Sequence, residues 1–412
     1  MDALQQTLSQ AIGELPALFL ENLISKKLQN QGITAPKRLS KKIAKHLLSG
    51  TTEPLSYKSR KYSGTINLAF DEADTEEITR ALDRFCTTEL PRLLTGIARR
   101  LSLKVFKDLK TRWANEHALQ DAELSEFRKR LKQRWGKPLG QLRMLLTMSR
   151  EWGQNAHDRE ISRKKNKTKQ LRKILIRLHV RACQVTDEII CLLENGLADG
   201  AMARWRTLHE IAVVAAVISK HGETIAERYL AHQAVESKRA MEKYLACYKD
   251  LGYKPLPARE QKKIVKAYDQ AVAKYGQPFK TDYGWAALHL KSPSPTFAAL
   301  EKAAGRAEMR SYYQMGNDNV HAGIKSMFVR LGLPDDYDGL LAGRSNAGLM
   351  EPGQNAAHTL TQLSVLVFLS EPNLDDLVTA DMMRMLRDEI PKSFYRADRE
   401  LRRDHKKHQT AS

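Results

Sequence analysis

The sequence predicts an all-α protein: a multi-helix bundle domain preceded by a smaller, basic, mostly helical N-terminal domain. Three observations carry this expectation. Apolar residues recur at three- and four-residue steps through nearly every informative segment, strands never alternate with helices, and no solenoid-length repeat interrupts the pattern. Hydrophobic residues make up 42% of the 412, enough for sizeable cores.

Residues 3–30 read as one or two amphipathic helices, interrupted near Pro16. In "TAPKRLSKKIAKHLLSG", Thr34 caps a helix, Pro36 sits early, Leu39, Ile43, Leu47 and Leu48 form the buried stripe, and Gly50 stops it. Residues 51–72 lose the period, and "YSGTINLAF" reads as a short strand or an extended loop. Helix returns in "DEADTEEITRALDRF…KTRW", acidic at its start and basic at its end, as the helix dipole favours.

A break is expected at "SREWGQNAHDREISRKKNKTKQ" (149–170), which is polar and carries no apolar stripe. The reading places the N-terminal domain over 1–155 and a basic linker over 156–170. Arg163, Lys164, Lys165, Lys167 and Lys169 in that linker are the candidate nucleic-acid contacts. The alternative is a solvated linker, because stacking aromatics are missing from it.

The bundle domain spans 171–371. Leu171, Ile174, Leu175, Leu178, Ala182, Val185, Ile189, Leu192 and Leu193 form a long packed stripe that Asn195-Gly196 closes. The short "LADG" connection to "MARWRTLHEIAVVAAVISKHG" implies an αα-hairpin. Helices continue through 223–252, 259–276 and 297–328, with Pro255 and Pro257 in one connection and "DYGWAALHL" in another. After a looser span from Gly332 to Gly353, "NAAHTLTQLSVLVFLSE" reads as a last core helix, and 372–412 as a tail that is amphipathic at first and ends in a charged, frayed stretch, "YRADRELRRDHKKHQTAS".

The formal net charge of +20 is the most unusual property of the chain. Such an excess points to a polyanion, RNA or DNA, ahead of an acidic partner protein or an anionic membrane surface. The four cysteines (Cys86, Cys183, Cys191, Cys247) contain no C-x-x-C pair and read as reduced thiols without a structural zinc. "MDALQQTLSQ" lacks the order of a signal peptide, and the longest apolar runs fall far short of the ~20 residues a bilayer demands. A cytoplasmic protein with no membrane partner, no cofactor and no metal is expected.

No phosphate-loop, dinucleotide, zinc-helix or nucleophile-elbow signature is present. Two polar islands remain. The first is Arg204, Arg206, His209 and Glu210. At about 100° per residue Arg206 and Glu210 lie nearly in line, His209 is about 60° from Arg206, and Arg204 is about 140° from His209. Arg206–Glu210 could simply be an ion pair on one helix. The second island is "RSYYQMGNDNVHAG", in which Asn319 and His321 follow Gly316; a plain helix cap is its bland reading. Arg228 and His232, at i and i+4, face each other better, but their neighbours look solvated.

The run "TDEIICLLENGLADGAMARWRTLHEIAVVAAVI", with "DYGWA" and "NDNVHAG", resembles a bacterial helical family, domain of unknown function 5677, over about residues 165–370. That resemblance implies a helical fold and no settled activity. More loosely, "RWRTLH" is similar to the Arg-x(4–6)-His motif of the HEPN ribonucleases through Arg204 and His209. Trp205 stands where that motif usually has a polar residue. The HEPN resemblance implies a metal-independent RNA-cleaving homodimer of a bacterial antiviral or toxin system, restrained by a regulatory protein partner. His209 or His321 would serve as acid/base, Arg204 or Arg206 would bind phosphate, and Asn319 would orient substrate. The alternative is a non-catalytic nucleic-acid-binding or scaffold subunit of a defence complex. A metal-dependent hydrolase using His209, Glu210 and His321 is a third reading, weakened by carboxylates that do not cluster at ligand spacing.

Overall fold

The computed structural model of the chain describes residues 2–34, 36–51, 53–58, 64–162, 170–333, 340–368 and 372–411. It is all-α, with no strand among the described residues. The chain divides into two compact units, Met1–Gln120 and Asp121–Ser412.

The first unit holds α1 (Asp2–Gly13), α2 (Leu15–Asn30), α3 (Lys37–Leu48) and α4 (Glu72–Arg84). A π-helical turn, Phe85–Glu89, leads into α5 (Leu90–Ile161), and the boundary between the units falls within α5. Its small core is built by Ile24 and Leu28 of α2 and Ala44 of α3, with Leu20, Ile33, Ile43 and Leu68 around them. Asp71 and Asp74 form a reciprocal capping box at the start of α4. The stretch read as strand or loop is irregular over 64–71.

The second unit is built on α6 (Gln170–Glu194) and α7 (Ala198–His221), the expected αα-hairpin. Gly196 turns the chain at φ +68, where a β-carbon would lie 2.6 Å from the Phe127 ring, so only glycine fits. α8 (Glu223–Ala231), α9 (Gln233–Cys247), α10 (Ala258–Tyr275), α11 (Phe297–Ala303), α12 (Arg310–Asp318) and α13 (Lys325–Phe328) follow. α14 (Met350–Phe368) packs on α6 and α7, and α15 (Leu374–Ala411) packs on α14. The core joins Trp135, Leu142 and Trp152 of α5 to Ile189, Trp205, Val213, Leu360 and Phe368. No helix among the described residues is long and apolar enough to cross a membrane.

Two boundaries differ from the sequence reading. The break expected from 149 is helix through Ile161: Trp152 and Ala156, one turn apart, are buried and supply the stripe that the polar composition hid. The tail, amphipathic at its start as read, is one helix, α15, whose burial of Ala380, Met383, Ile390 and Phe394 continues to Ala397 of the stretch read as frayed, in the same core as α14. An Asn373/Asp376 exchange caps its start. The buried Asp376 also accepts from Trp152 Nε1 at 2.6 Å and from both outer nitrogens of Arg159 at 2.8 Å. Burial alone would raise the Asp376 carboxyl pKa, but these donors hold it below its ordinary value.

Candidate functional site

The first polar island lies on the face of α7 covered by α11 and α12, where two short chains of hydrogen bonds run side by side. His209, 1% exposed, donates from Nε2 to Glu301 Oε1 of α11 at 2.9 Å; Glu301 is equally buried and accepts from Arg310 Nη1 at 2.7 Å. Arg206 Nη2 lies 3.0 Å from Glu210 and donates to the Tyr313 hydroxyl at 2.9 Å. That hydroxyl in turn donates to Glu210 Oε1 at 2.7 Å. The guanidinium carbons of Arg206 and Arg310 stand 4.9 and 5.2 Å from the Tyr313 ring centroid, a double cation–π arrangement.

Gly316 permits this approach. A β-carbon there would meet Arg206 Cβ at 3.1 Å and the Met202 carbonyl at 3.3 Å, so the small residue lets α12 settle onto α7. Trp205, beside the network, donates from Nε1 to Thr359 Oγ1 of α14 at 3.0 Å.

Burial holds the His209 pKa below its ordinary value; Glu301 pulls the other way and Arg306 adds to the lowering. Burial and the Glu210 acceptor push the Tyr313 hydroxyl up to about 12. A sealed imidazole with a depressed pKa and a fixed carboxylate partner orders the core. The pair is sealed from solvent.

The other predicted site residues go elsewhere. Arg204 turns to Glu188 of α6 and to Thr207, so it shares no face with His209. Asn319 caps the end of α12, its Nδ2 donating to the Met315 carbonyl at 3.3 Å. His321 follows in an exposed turn, its backbone N–H bonded to the Asn317 carbonyl. The two islands therefore do meet, but through Arg310 and Tyr313. Sequence reasoning missed those two and Glu301, although Arg310 and Tyr313 sit at i and i+3 and Glu301 is a lone acid in apolar "FAALEKAAG".

Arg228 and His232 are a correction. Their surroundings are not solvated: Arg228 is 8% and His232 2% exposed. Arg228 donates to the Trp285 and Gly284 carbonyls at 3.0 and 3.3 Å and lies 4.8 Å from the Tyr275 ring centroid. His232 Nε2 donates to the Thr281 carbonyl at 3.0 Å. The pair clamps the 279–286 segment that contains "DYGWA". Gly284 is obligatory within that segment, since a β-carbon would fall 2.4 Å from the Phe279 carbonyl oxygen.

Residues 172–339 match the model of a family of unknown function (DUF5677). The matched region contains both networks and the clamp. No curated protein and no solved structure matches the chain. Among the described residues no group of three or more His, Cys, Asp or Glu side chains is placed to hold a metal ion. Arg163, Lys164, Lys165, Lys167 and Lys169 lie outside the described residues.

Proposed function

We propose that the chain is a non-catalytic, helical nucleic-acid-binding protein. The observation that carries the reading is the first part of α5. There Arg92, Arg99, Arg100, Lys107 and Lys110 are exposed, and at 100° per residue they fall within an arc of about 100°. A continuous basic stripe on a long helix matches the repeated negative charge of a phosphate backbone, and the chain's net charge of +20 has the same sign. Exposed Phe106 and Trp113 add aromatic surface on which bases can stack. The sealing of His209 supports the non-catalytic half of the reading: its partner is a buried carboxylate, and Arg204, the other half of the ribonuclease-like motif, is engaged by Glu188.

The test measures binding of a labelled RNA oligonucleotide to the full chain across a salt series. Affinity should fall steeply with salt. The triple variant Arg99→Glu, Arg100→Glu, Lys107→Glu should both weaken binding and flatten the salt slope. In parallel, total RNA is incubated with the protein and a chelator. Cleavage by the wild type that disappears in His209→Ala would overturn this proposal in favour of a ribonuclease.

A further inference from the structure

The second unit holds a further candidate site. A cavity of about 290 Å³ that opens to solvent is lined by the turn after α11 (Ala304, Gly305, Arg306), by α14 (Thr361, Gln362) and by α15 (Arg384, Arg387). Arg306 is only 8% exposed, and its Nε is buried without a hydrogen-bond partner. Among the described residues its guanidinium forms no ion pair. Burial holds its pKa below the ordinary value, exposed Glu308 working against that, yet a guanidinium remains charged at any physiological pH. An arginine this buried, with only the exposed Glu308 two residues on as a counter-charge, is costly unless an anion joins it.

The surroundings reinforce that need. His358, just below Gln362 on α14, has its pKa lowered by burial and then by the charges of Arg387 and Arg306. Glu308 and Asp388 oppose them, while Arg387 and Arg306 line the same cavity from different elements. Arg384 and Arg387 are held by Asp381 and Asp388, at 2.6 and 2.8 Å, carboxylates on the exposed side of α15. Both arginines still line the cavity. Gly305 turns the chain at φ +67 with open space beside it, leaving room next to Arg306.

One lining residue, Gln362, has an acceptor to offer. Gln362 donates from Nε2 to His358 Nε2 at 2.5 Å, while its Oε1 is buried with no partner. The cavity thus presents three guanidinium groups and one orphan acceptor. A fully deprotonated anion would leave that acceptor empty; an oxyanion that also carries a hydroxyl would fill it.

We propose that this cavity binds a small phosphoryl-bearing ligand, its phosphate oxygens on Arg306, Arg384 and Arg387 and a hydroxyl on Gln362 Oε1. Hydrogen phosphate is the minimal such ligand, and a phosphorylated metabolite would present the same group.

The experiment titrates inorganic phosphate into the full chain by calorimetry, with sodium chloride at matched ionic strength as control. Thermal unfolding is followed in the same solutions. Saturable binding and a raised Tm in phosphate but not in chloride are expected. The double variant Arg384→Ser, Arg387→Ser, at one exposed and one half-buried position of α15, should stay folded in chloride, with a cooperative unfolding transition, and bind phosphate at least tenfold more weakly. Arg306→Lys should retain a weakened site. Absence of saturable phosphate binding in the wild type, or unchanged binding in the double variant, overturns the proposal.

Discussion

One helix, α5, passes through two environments. Over residues 131–156 its apolar side is covered: Leu131, Trp135, Leu139, Leu142, Leu145, Leu146 and Trp152 are all buried. Over residues 93–113 a comparable stripe of Leu93, Ile97, Leu101, Val105, Leu109 and Trp113 is exposed, opposite the basic stripe. The same residue types at the same helical spacing give a core in one stretch and an open surface in the other. Periodicity marks which side of a helix wants cover, while the partner elements that supply it are set by the rest of the chain. The covered stretch has α6, α14 and α15 within its unit to meet it.

The contrast can be broken most severely at its two tryptophans. Trp135 is fully buried, donates to the Asn346 carbonyl at 3.0 Å and packs against Phe394, whereas Trp113 is 49% exposed. Trp135→Ala should lower stability by about 3–5 kcal/mol. Trp113→Ala should stay within about 0.5 kcal/mol. Urea unfolding of the two variants checks this, and equal losses would mean that the two stretches are packed alike.

Acid should attack the covered stretch next. His179 lies against Gly153 of α5, hydrogen-bonded to Ser364 and packed on Phe368, with the Cys183 thiol at 3.8 Å. Burial lowers its pKa to about 3. Folded His179 holds a proton more weakly than the unfolded chain does, so unfolding takes up a proton below the ordinary histidine value. Its contribution is complete above about pH 6.5 and is lost progressively as pH falls towards 3, by up to about 5 kcal/mol. The buried His209 and the half-buried His358 act in the same direction. Stability measured against pH should be flatter between 6.5 and 4 in His179→Gln than in the wild type; an unchanged slope would remove His179 as a cause.

Glycine substitutions sharpen the comparison with opposite signs. At Gly153 a β-carbon would sit 3.0 Å from the His179 ring, which its own partners prevent from moving. Gly153→Ala should cost about 1–3 kcal/mol. At Gly96 nothing lies within 4 Å, so Gly96→Ala should raise stability by about 0.5–1 kcal/mol through helix propensity alone. The smallest effect belongs to Arg112→Ala. It removes an exposed i,i+4 pair with Asp108 at 2.5 Å and should change the unfolding free energy from urea titration by less than about 0.5 kcal/mol.

The all-α class, the α6–α7 hairpin and the Arg206–Glu210 alignment were legible in the sequence because each depends on residues a few positions apart. Glu301, Arg310 and Tyr313 were not, because nothing local says that they will fold onto α7. Arg228 and His232 looked solvated for the same reason: their cover comes from residues 275–285. The polar run at 149–161 concealed a helix whose buried side rests on little more than Trp152, Gly153 and Ala156. Cavities such as the one at Arg306 lie furthest from a sequence reading, since two helices and a turn distant in sequence contribute to it.

The polar start of α7 has one more consequence. Arg204 reaches Glu188 on α6, Trp205 reaches Thr359 on α14, Arg206 reaches Tyr313 on α12, and His209 reaches Glu301 on α11. Sliding a helix by a single residue shifts it about 1.5 Å and turns it about 100°. Such a slip would undo all four attachments together, although the apolar "IAVVAAVI" run beyond them would accept many alignments. α7 is thus indexed like a key, its teeth crowded at one end and its smooth shaft filling the core.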